Sequence, residues 1–112
     1  MQLPLKEASA VGYFAKHLDT WRLGQWLFVP ANAEIELDTP CYQQDWDHRD
    51  LSPEEQNQID DVIRSSGLRP FFEWQQINMV VENLRMQKQD YSDSDLIRAI
   101  RHYWEHDAYI VL

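Results

Sequence analysis

With 112 residues, 44% hydrophobic and 12% aromatic, the chain is long enough to bury one core and too apolar for a disordered protein, so residues 1–112 are read as a single domain. A formal net charge of −9, from 19 acidic and 10 basic residues, speaks against nucleic acid as a partner, because phosphate contacts need Lys and Arg. One cysteine, Cys41, excludes an intramolecular disulfide framework; no basic region followed by an apolar stretch opens the sequence, and no apolar run reaches the roughly 18–20 residues of a membrane span, so a cytosolic protein without membrane contact is expected.

The first predicted element is a helix from Leu5 to about Thr20. Ala8, Val11, Phe14, Ala15 and Leu18 recur at helical spacing, while Gly12 within it costs about 1 kcal/mol against alanine. Trp21 to Gly24 connects it to a hairpin. Trp26 to Val29 is a short run of bulky, β-prone residues and Pro30-Ala-Asn-Ala33 is turn-like. Glu34-Ile-Glu-Leu-Asp38 then alternates strictly, which predicts a second strand with Ile35 and Leu37 on one face and Glu34, Glu36 and Asp38 on the other. Thr39-Pro40 ends that strand, since proline cannot donate to a ladder.

Cys41 to Leu51 reads as a polar loop holding one large aromatic, Trp46. Ser52-Pro-Glu-Glu55 is a strong helix start, with serine as cap, proline in the first turn and Glu55 placed for a capping box. Ile59, Val62 and Ile63 form its apolar stripe, and Gly67 is its stop. Residues 68–73 fit either a short strand or the lead-in to the next helix. That helix runs from about Trp74 to Lys88, with Trp74, Ile77, Val80, Val81 and Leu84 on one face. Ser92-Asp-Ser-Asp95 opens another, burying Leu96, Ile97, Ile100, Tyr103 and Trp104. Asp107 to Leu112 is apolar enough to be a terminal strand or a cover over the core. The class is α+β: three to four helices packed on a small, mostly antiparallel sheet.

Charge is distributed unevenly. Between Glu34 and Asp61 ten acidic residues face one basic residue, Arg49, and the rest of the chain carries nine of each sign. Part of this has a structural reason, because Glu54 and Glu55 suit the positive end of a helix dipole. The remainder makes Glu34, Glu36, Asp38, Asp45, Asp47 and Asp50 candidates for contact with a basic protein partner. Trp46, between two aspartates, reads either as an anchor folding the loop onto the core or as an aromatic at the centre of an interface.

Other chemistry finds less support. His102-Tyr-Trp-Glu-His106 matches the H-x-x-E-H string of inverted zinc peptidases. On a helical wheel, however, both histidines fall away from the apolar stripe, and the few residues after His106 leave no room for the downstream ligand of that family. Cys41 could act as a nucleophile only with a base beside it, His48 being nearest in sequence. The paired acids lack the spacing and glycine of an EF-hand, and glycines 12, 24 and 67 make no phosphate loop. The expectation is a non-enzymatic protein with no metal and no cofactor.

The segments Trp26-Leu-Phe-Val-Pro30, Leu37-Asp-Thr-Pro-Cys41 and Val80-Val-Glu-Asn-Leu84 together resemble a group of small acidic bacterial proteins of unknown function. In size and acidity the chain also resembles the immunity proteins of bacterial contact-dependent growth inhibition systems. That second resemblance implies a protein that binds and blocks a cognate toxin domain, often a basic nuclease, with the acidic segment as its contact surface. It assigns no individual residue. The alternative is a small adaptor or regulatory subunit that binds a housekeeping protein through the same surface.

Overall fold

In the computed structural model, which describes residues 9–43 and 50–112, β2 (Trp26–Pro30) lies inside an antiparallel sheet of order β1-β3-β2-β4. Its neighbours are β3 (Pro40–Gln43) and β4 (Leu68–Glu73), and the two-residue β1 (Ser9–Ala10) pairs with the start of β3. Residues 68–73, open to two readings in the sequence, are therefore a strand. Alternation along β2 sends Leu27 and Val29 to one face and Phe28 to the other, and each face is covered. Leu27 and Val29 meet α1 (Val11–Lys16), α3 (Trp74–Gln87) and α4 (Asp93–His106) in the larger core. Phe28 meets Ile59 and Ile63 of α2 (Pro53–Ser65) on the opposite side. The α+β class is as expected, with the helices in two layers.

Register between β2 and β4 slips by one residue: Trp26 faces Glu73, but Phe28 faces Pro70. Two residues of β4, Phe71 and Phe72, thus oppose Leu27 alone, the geometry of a bulge. Both phenylalanines consequently reach the larger core, where their rings lie 4.9 and 5.6 Å from that of Trp104. At this end of the sheet, buried polar groups are matched to one another. Gln43 Nε2 donates to Gln25 Oε1 at 3.0 Å, and Glu73 Oε2 accepts from the backbone N–H groups of Gly24 and Gln75.

Helix starts follow the sequence signals closely. Ser52 and Glu55 form a reciprocal capping box on α2, Ser92 and Asp95 another on α4, and Glu73 with Gln76 a third on α3. Gly67, at φ 75°, follows the end of α2 in the left-handed region that glycine enters without penalty. The Asp95 carboxylate also accepts from Lys88 Nζ at 3.0 Å. The Ser92 backbone N–H and then Lys88 hold its pKa below the ordinary carboxylate value.

Three expectations need correction. Within the described residues, the predicted Leu5–Thr20 helix is helical only over Val11–Lys16, followed by a 3-10 turn at Leu18–Thr20. Ser9 and Ala10 are drawn into pairing with Cys41 and Pro40 instead. The strand predicted at Glu34–Asp38 is a loop. Its apolar alternation is real, since Ile35 is buried and Leu37 half-buried against the core, but its backbone does not enter the ladder. Thr39 Oγ1 donates to Glu34 O at 2.7 Å and accepts from Glu36 N at 2.8 Å, folding the segment into a turn. Pro40 begins β3 rather than ending a strand, at a first position where a missing N–H costs the ladder nothing. Of the two readings for the C-terminal residues, the cover applies: Tyr109 and Ile110 pack on the core, and Gln87 bonds the backbone of Ile110 and Leu112.

The loop has a second task. The first amide groups of α1 have no side-chain cap, and Val11 N and Gly12 N donate instead to Thr39 O and Leu37 O, at 2.9 and 2.8 Å. This close approach needs a glycine. A Cβ on Gly12 would sit 3.1 Å from Leu37 O and 3.2 Å from Leu37 Cβ. Helix propensity alone says that Gly12→Ala gains about 1 kcal/mol. We expect instead a loss of about 1 kcal/mol, and Gly12→Val to lose about 2–3 kcal/mol through overpacking, both measured by urea denaturation. A Gly12→Ala variant more stable than wild type would show that the loop does not sit this close to α1.

Candidate functional site

The acidic segment is divided by the sheet. β2 and β3 are antiparallel, so the loop between them, carrying Glu34, Glu36 and Asp38, lies at the end marked by Pro30 and Pro40. Gln43 ends β3 at the other end, and Asp50 precedes the start of α2. β2 is five residues long, which separates the two ends by about 17 Å. Asp45, Trp46 and Asp47 lie outside the described residues, as does His48. What joins the two ends is α2, which returns over about 20 Å and hands the chain to β4 opposite Pro30. Glu54, Glu55 and Asp61 are exposed along it.

The predicted residues also differ in how their charge is used. Glu34, Asp38 and Asp50 are exposed with no cation within bonding distance among the described residues. Glu36 is half-buried and paired with Arg101 of α4. The same arginine donates from Nε to Ile35 O at 2.6 Å. Glu34, Glu36 and Asp38, expected on one strand face, share none, because the segment is a loop, and one of the three charges is neutralised from the helical layer.

Between this loop and α4 lies an open cleft of about 410 Å³, lined by Ala33, Glu34, Ile35, Arg69, Arg101, Trp104 and Glu105. Arg69 comes from β4, with its guanidinium carbon 5.2 Å from the centroid of the Trp104 ring. Its Nε is buried without a hydrogen-bond acceptor among the described residues. Apart from Glu34, none of this was singled out from the sequence. Arg69 and Arg101 are unremarkable charges there, and they meet only because β4 and α4 pack against one loop. The one available hint was Trp104, assigned wholly to core, which is half-buried and turns part of its surface to the cleft.

The other candidate groups are less equipped. Cys41 is fully buried, and burial pushes its thiol up to about 12, so at neutral pH it is a protonated, enclosed side chain and not a nucleophile. His102 is half-buried and His106 exposed, with ring centroids 4.6 Å apart. No third ligand joins them, for among the described residues no three His, Cys, Asp or Glu side chains are grouped to hold a metal ion. No helix among the described residues is long and apolar enough to cross a membrane.

A family model described as Domain of unknown function (DUF7716) matches residues 13–112. The chain belongs to this family. No curated protein and no solved structure gives a significant match. The match covers the whole sheet except β1, and it includes the loop, α2 and every residue lining the cleft.

Two imidazoles without a third ligand bind zinc weakly, because tight sites need three or four protein donors. Elemental analysis after dialysis is expected to find no stoichiometric zinc. One zinc per chain, lost in His102→Ala, would restore the metallopeptidase string as a working motif.

Proposed function

We propose that this chain is a non-enzymatic binding protein that engages a basic protein partner, with the outer face of α2 at the centre of its contact surface. The observation behind this reading is where the charge sits: ten acidic residues against one basic between Glu34 and Asp61, with Glu54, Glu55 and Asp61 exposed along α2. Of the described acidic residues between Glu34 and Asp61, only Glu36 and Asp61 have a described cation within 4.0 Å, and the Asp61–Arg64 contact is exposed on both sides, at 3.5 Å. In the C-terminal half Asp93 lies by Lys16 and Asp95 by Lys88 and Arg98, while Glu82, Asp90 and Asp107 have no described cation within 4.0 Å, so the two halves differ in the density of acids and not in how many are paired. Uncompensated charge on an exposed surface costs the free protein little, because solvent and salt screen it. It steers an oppositely charged partner into contact and sets its orientation.

A toxin nuclease is the partner class that fits this surface best. A nuclease must itself present cationic groups to hold phosphates, and an acidic surface competes for those groups. The resemblance in size and acidity to immunity proteins points the same way, and a cytosolic setting goes with it. Acids on α2, discounted in the sequence as dipole partners, take the larger share in this reading, while Glu36 drops out because Arg101 already holds it.

Affinity capture from the native host, with the captured partner then purified, tests the reading. Asp50→Asn, Glu54→Gln and Asp61→Asn together should leave the fold intact and cost at most about 1 kcal/mol, through the lost dipole partner of α2. Association with a basic partner should slow at least about tenfold at low salt and lose most of its salt dependence. If the captured protein is a nuclease, stoichiometric wild type should abolish its activity. An association rate indifferent to salt in the wild type would contradict the proposal.

A further inference from the structure

We propose that the cleft between the 31–39 loop and α4 binds a small zwitterion of the α-amino-acid class, its carboxylate on Arg69 and its ammonium on Glu34 or Glu105. Arg69 and Arg101 are the two half-buried arginines among the described residues, and they differ in one respect. Arg101 is occupied by Ile35 O and Glu36, whereas Arg69 has no carboxylate within 4.0 Å among the described residues. Arg69 is held by packing: its guanidinium lies over the Trp104 ring, and its Nε is enclosed without a described acceptor. This cation–π contact holds the guanidinium beside the ring and leaves its terminal nitrogens as the donors for a ligand, a fork suited to a carboxylate.

Charge balance selects the ligand class. Arg101 is already paired with Glu36, so Arg69 and the two carboxylates of Glu34 and Glu105 are the charges left to a ligand, and no net positive field gathers simple anions. A simple cation would meet Arg69. A molecule carrying both charges matches both signs of the lining, and Trp104 offers apolar surface to its side chain. About 410 Å³ holds one such molecule.

This inference does not depend on a protein partner, since α2 contributes nothing to the lining. The test is an NMR titration of the full chain, following the Trp104 indole N–H, with L-amino acids one at a time. Each is accompanied by its desamino carboxylate and its decarboxylated amine. At least one amino acid should bind, and both of its truncated forms at least about tenfold more weakly. Arg69→Lys, which keeps the charge and loses the fork, should weaken binding by about tenfold or more. Glu34→Gln with Glu105→Gln should weaken the amino acid and leave the desamino carboxylate bound as well as before or more tightly. Equal binding of carboxylate and amino acid would overturn the ammonium half of the proposal. The absence of any shift with any amino acid up to about 10 mM, where a Kd near 1 mM would already saturate the site, would overturn it whole.

Discussion

Arg101 connects the helical layer to a loop that no ladder hydrogen bond restrains. Its Nε bonds the carbonyl of Ile35 and its terminal nitrogen the carboxylate of Glu36. The two contacts are unequal. Both side chains of the ion pair are more than a third exposed, so solvent leaves it about 0–1 kcal/mol. The bond from a charged donor to a carbonyl is worth more, about 1.5–3 kcal/mol. Burial of Ile35, at 6% exposure, adds about 1.5–3 kcal/mol. The loop is thus held chiefly by an apolar side chain and a carbonyl, with the acidic group in a minor role.

That docking organises its surroundings. It presents the carbonyls of Leu37 and Thr39 to the uncapped start of α1, and it sets Glu34 at the rim of a cleft facing Trp104. The bulge in β4 contributes from below, by turning both Phe71 and Phe72 toward Trp104. Trp104 supports Arg69 in turn. One loop, one bulge and one helix therefore make a mixed-charge cleft on one side of the sheet, while α2 carries exposed acids on the other. The two surfaces share a segment of sequence without sharing a face.

Local signals in the sequence were reliable where the fold is decided locally. Ser52 and Ser92 announce their helices, Gly67 its turn, and the apolar stripes of α3 and α4 their buried faces. Failures came where tertiary contact overrides local pattern. Strict alternation at Glu34–Asp38 records which side chains go inward, and a loop docked on a helix needs that as much as a strand does. Ser9 and Ala10 leave the helical pattern because β3 offers them partners. Of the candidate surface, Glu34, Asp38 and Asp50 are exposed as expected. The capture of Glu36 by Arg101, across 65 positions of sequence, leaves no trace in spacing or composition. The cleft was illegible for the same reason.

Docking of the loop onto α1 and α4 is the claim on which the rest stands, and amide hydrogen exchange reads it at single residues. The N–H groups of Val11 and Gly12 should be protected in the wild type, though they open a six-residue helix with no side-chain cap. In Arg101→Ala their exchange should accelerate by about tenfold, the equivalent of about 1.4 kcal/mol, while Val80 and Val81 in α3 remain unchanged. Unprotected amides at Val11 and Gly12 in the wild type would mean that the loop does not close on α1, and the account of both surfaces would lose its foundation.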